Sequence, residues 1–446
     1  MIITMKIPVI HQNFPGQFRH MAAEWAKTRP GYEVIAIGRD TAPGLPEAPG
    51  FFKMLRYKPH RPVHANQHHY LRKMEDAVLH GQAVARVLLD LKRQGFKPDA
   101  ILAHPGWGET LYAKDVFPGA RLVHFAEWFY NSQGADIGFD PEFPVTFDDQ
   151  ARIRSWNALH LLNLENCDAA INPTQWQKAQ HPLAYRDKIT VAHEGIDTQN
   201  LWPDSTARCK LPNGQILKAG DPVVTYVARN LEPYRGFHSF MRALPAIQAE
   251  HRQRHTVIAG GDEVSYGSRP KCGKFKTWRE KMLAEVGSRL DPARTHFVGK
   301  LPYADYKRLL QVSGAHVYLT YPFVLSWSML EAMASGCLVV CSDTAPVREV
   351  LRGGENGRLV GFTDVNEIAE KTVQAITEPQ RFASIRGNAR AEIQAKFGRV
   401  EGLRSVEVLM QLRSAWKRLD QVLNVNGNLS DSNSWRPVHQ SEATQD

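Results

Sequence analysis

Cysteine is scarce and odd in number: Cys167, Cys209, Cys272, Cys337 and Cys341 are all there is in 446 residues. Their spacing matches neither a disulfide framework nor a paired metal site. Cys337 and Cys341 flank a Leu-Val-Val run and read as small hydrophobes of a buried strand. A membrane span is also missing, because no window offers the roughly eighteen unbroken apolar residues a spanning helix needs. The richest stretch, around His316 to Leu330, is interrupted by Pro322, Ser326 and Ser328. Residues 1–20 carry Lys6, Gln12, Asn13 and Arg19 where a secretory leader would be apolar, so the cytoplasm is the expected compartment. The chain contains no Asp-any-Asp motif, and the adjacent Asp148-Asp149 reads as a helix start near the positive dipole end. No metal and no cofactor are expected.

What is present is an ordinary globular composition, 43% hydrophobic and 23% charged, in a chain long enough for two cores. The net charge of +9 raises the question of an anionic partner. Two basic clusters supply much of it. One is Lys53, Arg56, Lys58, Arg61, Arg72 and Lys73, with histidines nearby; the other is Arg269, Lys271, Lys274, Lys276, Arg279 and Lys281. The first reads either as a solvated loop or as a patch for an anionic bilayer or a phosphate-bearing acceptor. His64 to His69 lack the carboxylate or thiolate spacing of a metal site.

Along the chain, short non-alternating apolar runs are separated by helical periodicities. Ile7–Ile10, Val34–Ile37, residues 99–103, Arg121–Phe125 and Ala169–Asn172 read as strands; Met74–Leu91 and Ile153–Leu164 read as helices. After a Pro- and Gly-containing stretch the rhythm restarts with Val223–Val227, His255–Ala259, Thr295–Val298, His316–Leu319 and Leu338–Val340. Strands buried on both faces imply parallel sheets covered by helices. The expectation is an α/β protein of two Rossmann-like, doubly wound domains facing a cleft. The boundaries expected are 1–205, a linker at 206–220, 221–400, a C-terminal helix at 401–423 and a disordered polar tail at 424–446.

Three segments carry candidate chemistry. In Leu325 to Gly336, Ser326 or Ser328 caps a short helix whose N-terminal amides suit a phosphate, and Glu331 lies one turn in. Arg229 and Arg235, six apart in a strand-to-helix loop, are able to converge on one anion. His104 ends a strand at His104-Pro105-Gly106; it either faces the cleft or shapes the turn by bonding a neighbouring amide. Glu127 and Glu109 are rivals for the position nearest an acceptor.

Taken together, Arg229 with Arg235-Gly236, residues 258–262, residues 297–301 and residues 330–340 resemble family 4 glycosyltransferases over roughly residues 5–400. The His11 to Arg19 string is similar to one subgroup of that family. The resemblance implies the GT-B fold, a nucleotide-sugar donor, retention of anomeric configuration and no divalent metal. It places Arg229 and Arg235 on the donor diphosphate and Glu331 on the ribose. Gly16 falls in the N-terminal loop, Ser326, Trp327 and Ser328 in the phosphate loop, and Gly299 and Leu301 in the donor site. The N-domain residue near the sugar is His104 or Glu127. Two departures stand out: Phe323 occupies the position of the family's first glutamate, and Ser326 that of a glycine. The expected activity is transfer of a hexosyl group to a saccharide or lipid-linked saccharide, in envelope polysaccharide biosynthesis in a bacterial cytoplasm, with peripheral membrane contact and no nucleic-acid partner. A catalytically silent nucleotide-sugar-binding protein and an epimerase on the same fold are the alternatives.

Overall fold

The computed structural model describes residues 5–45, 52–250, 253–271, 273–400 and 402–411. Its strands, in chain order, are β1 Met5–Ile10, β2 Tyr32–Arg39, β3 Phe52–Tyr57, β4 Ala100–Ala103, β5 Arg121–Phe125, β6 Ala169–Asn172 and β7 Ile189–Val191. A hairpin follows, β8 Arg208–Lys210 and β9 Ile216–Lys218. The second set is β10 Val223–Asn230, β11 His255–Gly261, β12 Thr295–Gly299, β13 Ala315–Tyr318, β14 Leu338–Ser342 and β15 Arg358–Val360.

Both sheets are wholly parallel and wound alike: β3-β2-β1-β4-β5-β6-β7 in the first domain and β12-β11-β10-β13-β14-β15 in the second. The chain therefore reverses its winding between β1 and β4, and again between β10 and β13. Loops leaving such neighbours diverge to opposite faces and open a crevice at the strands' C-terminal ends, which is where ligands bind in this class of sheet. The central strands are buried on both sides (Ile7, Val9, Ile101, Leu102, Val224, Val317 and Val339 have no exposed surface), which accounts for their unbroken apolar runs.

The structure departs from the sequence expectation at the domain boundary. Residues 206–220 are not a free linker. They form the β8–β9 hairpin, and Cys209 and Leu217 bury against Val257 and Leu309 of the second domain. The second domain's chain returns through a parallel bridge between Ile196 and Gly398. It then enters a helical run over 402–411, where Leu403, Val406 and Met410 join the core of the first domain beside Trp25. The rest of the expected 401–423 helix and the 424–446 tail lie outside the described residues. Among the described residues no helix is long and apolar enough to cross a membrane.

One long loop ties the domains together. Between β5 and the helix Phe147–Asn166, Trp128, Ala135, Phe139 and Phe143 pack into the second domain's core. Asp140 Oδ2 accepts from His238 Nε2 at 2.9 Å and from Tyr321 OH at 2.9 Å. Tyr234 OH donates to Asp136 Oδ2 at 2.9 Å. In return the Glu349 carboxylate accepts the backbone N–H groups of Gln175 (2.6 Å) and Trp176 (2.8 Å), capping a first-domain helix from the second domain.

Candidate functional site

The two crevices face each other across one cavity of about 730 Å³, bounded by His11, Gly16, Gln17, His104, Trp107, Glu127 and Glu194 on one side and Arg229, Arg235, Tyr266, Lys300, Phe323, Ser326 and Trp327 on the other. His11 follows β1 and His104 follows β4, so both stand at the first sheet's winding reversal.

These residues form a connected polar row. Asn13 N–H donates to His11 Nδ1 at 3.0 Å, which leaves His11 Nε2 to donate to Gln17 Oε1 at 2.6 Å; Gln17 Nε2 then donates to Glu127 Oε1 at 3.2 Å. Gly106 N–H donates to His104 Nδ1 at 3.1 Å, which puts the ring's other nitrogen 3.4 Å from Glu127 Oε2. Both readings of His104 therefore hold: it shapes the Pro-Gly turn and it faces the cleft. Trp107 stacks on its ring at 4.5 Å. Burial, reinforced by His104, pushes His11 down to about 3, so it is neutral at physiological pH. Loss of solvent alone would raise the Glu127 carboxyl, but His104 and Gln17 outweigh that and hold it below its ordinary value, ionised. Gly16 is required here on two counts. Its φ is +47°, and a Cβ would lie 2.2 Å from His11 Nε2.

On the opposite wall Arg229, at the end of β10, is exposed, while Arg235 is buried in a short 3₁₀ turn, Pro233–Arg235. Arg235 Nη1 donates to Tyr318 OH (3.2 Å), Thr320 Oγ1 (2.8 Å) and Val324 O (3.0 Å), which fixes the guanidinium carbon Cζ 5.2 Å from the centre of the Tyr266 ring. Gly236 makes the approach feasible: its φ is +65°, and a Cβ would lie 2.3 Å from Leu319 Cβ. The helix Trp327–Ala334 begins beside this arginine, with the Ser326 side chain accepting from Ser328 N–H and Ser326 N–H donating to Tyr318 OH. A niche of about 40 Å³ lies between Arg229, Arg235, Tyr266, Ser326 and Ser328. Two cations and a helix N-terminus around this space are the donor set that suits an anion.

Three expected site residues stand outside the cavity wall. Gly299 ends β12 and only its neighbour Lys300 reaches the cavity, where Nζ pairs with Glu263 at 2.7 Å. Leu301 packs with the β8–β9 hairpin core. Glu331 is buried behind the niche rather than solvated, and its carboxylate accepts from Tyr306 OH (2.8 Å) and Tyr303 OH (3.2 Å). Burial raises it, and the two phenols pull part of the way back. The rival Glu109 is also removed from the site. It is wholly buried and accepts from Tyr57 OH at 2.6 Å. Phe323 does line the cavity, packed edge-on against Trp128 of the first domain at 4.8 Å and against Tyr266 at 5.0 Å. Its position is thus spent on closing the domains together.

Sequence reasoning missed several participants. Glu232, with no exposed surface, accepts the backbone N–H groups of Ser265, Tyr266 and Gly267 at 3.0–3.3 Å and so holds the loop that places Tyr266 over Arg235. Its place two residues after Asn230 gave no signal, because its partners lie more than thirty residues away. Gln17 and His11 belong to the string that is similar to one subgroup of the family, but nothing in its spacing assigns either of them a role. Among the described residues no group of three or more His, Cys, Asp or Glu side chains is placed to hold a metal. Asp148 and Asp149 sit at a helix start: Asp149 completes a capping box with Thr146, and Asp148 accepts from Tyr70 OH at 2.5 Å. In the first basic cluster Arg61 pairs with Glu75, and Lys73 alone reaches the cavity, beside the Trp156 ring.

The chain matches two family models, "Glycosyl transferase family 4 group" over residues 30–201 and "Glycosyl transferases group 1" over residues 210–392. It is 26% identical over 324 residues to a glycogen synthase of Mycobacterium tuberculosis, covering 70% of this chain and 69% of that protein. Among solved structures it resembles a sucrose-phosphate synthase from Thermosynechococcus elongatus (TM-score 0.68, 18% identity, 92% of this chain and 100% of that one). It also resembles HepE of Anabaena in complex with UDP and glucose (TM-score 0.61, 17% identity, 90% and 98%). The fold is GT-B.

Proposed function

With a glycosyltransferase match on each of its two domains the protein is a glycosyltransferase, and on that premise we propose that it transfers a hexosyl group from a nucleotide sugar to a saccharide or lipid-linked saccharide, with retention and without a metal, in envelope polysaccharide assembly. The observation that carries this reading is the niche where Arg229, Arg235 and the Ser326-capped helix start meet, open to the large cavity. Charge building on a departing diphosphate needs preorganised donors already in place, and two guanidiniums and helix amides meet that need without a metal ion. The Arg235 contacts keep it from reorganising during the reaction. Glu331, the carboxylate the resemblance puts on the ribose, lies behind the helix start; Tyr303 and Tyr306 orient it and each leaves an oxygen lone pair for a ribose hydroxyl.

On the acceptor side the ionised Glu127 and the His104 ring present a hydrogen-bond acceptor and donor to an incoming hydroxyl, while the donor phosphate is the base that receives its proton. HepE of Anabaena is solved with UDP and glucose, so UDP-glucose is the first donor to try. The experiment is incubation with UDP-, GDP- and ADP-sugars, following nucleoside diphosphate release. Release from one donor, persisting in the absence of acceptor as slow hydrolysis, is the expected result. No release and no binding of any nucleoside diphosphate would overturn the proposal.

A further inference from the structure

Glu194 stands where the chain first leaves the N-terminal domain, just after β7. Its side chain is 9% exposed, yet it forms part of the cavity wall. Oε1 accepts from Trp327 Nε1 at 2.9 Å, and Trp327 is the first residue of the helix whose start forms the anion niche. The hydrogen bond therefore spans the two domains. The other oxygen, Oε2, is buried and finds no hydrogen-bond partner among the described residues. His193 Nε2 comes no nearer than 3.7 Å, and that ring's Nδ1 is already taken by Gly195 N–H. A buried carboxyl oxygen without a partner costs free energy unless a ligand supplies one.

We propose that Glu194 is a specificity residue of the donor site whose Oε2 binds a hydroxyl group of the hexosyl moiety being transferred. The assignment to the donor sugar follows from the tether. Trp327 fixes Glu194 beside Ser326 and Ser328 of the niche; a diphosphate held there carries the nucleoside at one end and the sugar at the other, and with the ribose assigned to Glu331 of the second domain the sugar is left for the first-domain side, where Glu194 stands. The proposal rests on the nucleotide-sugar reading above and adds a residue that the resemblance does not assign. Burial, with the Glu127 charge adding to it, raises the Glu194 carboxyl to about 7. The titratable groups around it are His193 beside it, Glu127 on the same wall of the cavity and His20 against the Trp327 ring. With Oε1 accepting from Trp327, the proton of the neutral acid sits on Oε2 and is donated to the sugar hydroxyl oxygen. No bond other than this hydrogen bond forms or breaks.

The test compares wild type, Glu194→Gln and Glu194→Ala by calorimetric titration with UDP and with UDP-glucose, repeated with GDP and GDP-mannose and with ADP and ADP-glucose. Donor hydrolysis is measured alongside, and thermal unfolding checks each variant. The expected result is that Glu194→Ala keeps nucleoside diphosphate affinity but loses about tenfold in nucleotide-sugar affinity or hydrolysis. Glu194→Gln, which can accept from Trp327 and hydrogen-bond a hydroxyl from the Oε2 position, stays close to wild type. Equal nucleotide-sugar binding and hydrolysis in all three proteins overturns the proposal. So does a parallel loss of nucleoside diphosphate affinity, which would mark Glu194 as only a strut between domains. If wild type itself binds none of the nucleoside diphosphates, the underlying reading fails and takes this one with it.

Discussion

Replacing Arg229 and Arg235 separately by alanine should produce equal losses of turnover and unequal losses of stability. Arg229 is exposed in the cavity wall, so its truncation should change folding free energy by no more than the ±0.5 kcal/mol or so of a surface change. Arg235 is 8% exposed, and its Nη1 satisfies three acceptors, Tyr318 OH, Thr320 Oγ1 and Val324 O. Nη1 shares its two protons among them, so removing it costs the worth of about two hydrogen bonds, or about 2 kcal/mol in total. At about 2–4 °C per kcal/mol for a domain of this size, the melting temperature should fall by about 4–8 °C. Turnover, measured as nucleoside diphosphate release at saturating donor, should drop about 10²–10³-fold in each variant, the usual effect of deleting one preorganised donor to a developing anion. Calorimetric scans supply the stability half of the comparison. Arg235→Lys should recover part of the turnover but not the fork of hydrogen bonds. Wild-type turnover in Arg229→Ala would remove it from the anion site, and an unchanged melting temperature in Arg235→Ala would refute the argument from its buried contacts.

Glu331→Gln keeps the shape and one acceptor oxygen but removes the charge, so nucleoside diphosphate affinity should weaken by about 1.5–3 kcal/mol by calorimetry; unchanged affinity would leave the carboxylate only as an anchor for Tyr303 and Tyr306. Treatment with EDTA should leave donor hydrolysis intact, and a strict Mg²⁺ requirement would contradict the arginine-based reading. Asp136 is buried at the domain junction and raised by that burial to about 6. The folded protein therefore holds a proton there that the unfolded chain has already lost, and stability falls as pH rises from about 4 to about 6. In Asp136→Asn, whose amide oxygen still accepts from Tyr234 OH, that decline should be absent. The variant's melting temperature relative to wild type should thus climb through this window and level off above it; a constant difference across pH would show that Asp136 does not titrate in this way.

The sequence by itself determined the fold and the nearness of Arg229 and Arg235 to a capped helix start, because both are written locally. Unbroken apolar strands between helical periods specify a parallel sheet covered on both faces. Ser326 and Gly336 bracket a helix within one continuous segment, and Arg229 and Arg235 are separated by a single strand-to-helix turn. β3, β7 and β15 were missed because edge strands have little apolar signature: β3 runs half-exposed for most of its length. Only the tertiary structure decided the rest. Residues 206–220 have the composition of a linker, yet Cys209 and Leu217 find an apolar surface to cover, and burial made the stretch part of a domain. Glu331 lay one turn into a helix with solvent and burial equally open, until Tyr303 and Tyr306, about twenty-five residues earlier, took its oxygens. Phe323 stands at the position of the family's first glutamate, and the fold uses it to pack Trp128 across the cleft. Glu194 reads as a loop residue in sequence, since neither the Trp327 that holds one of its oxygens nor the cavity that meets the other exists until two domains close on each other. Local propensity fixes which elements form. Burial and hydrogen-bond partnership between residues far apart in the chain exist only after those elements pack, and they decide which polar side chains remain available to a ligand.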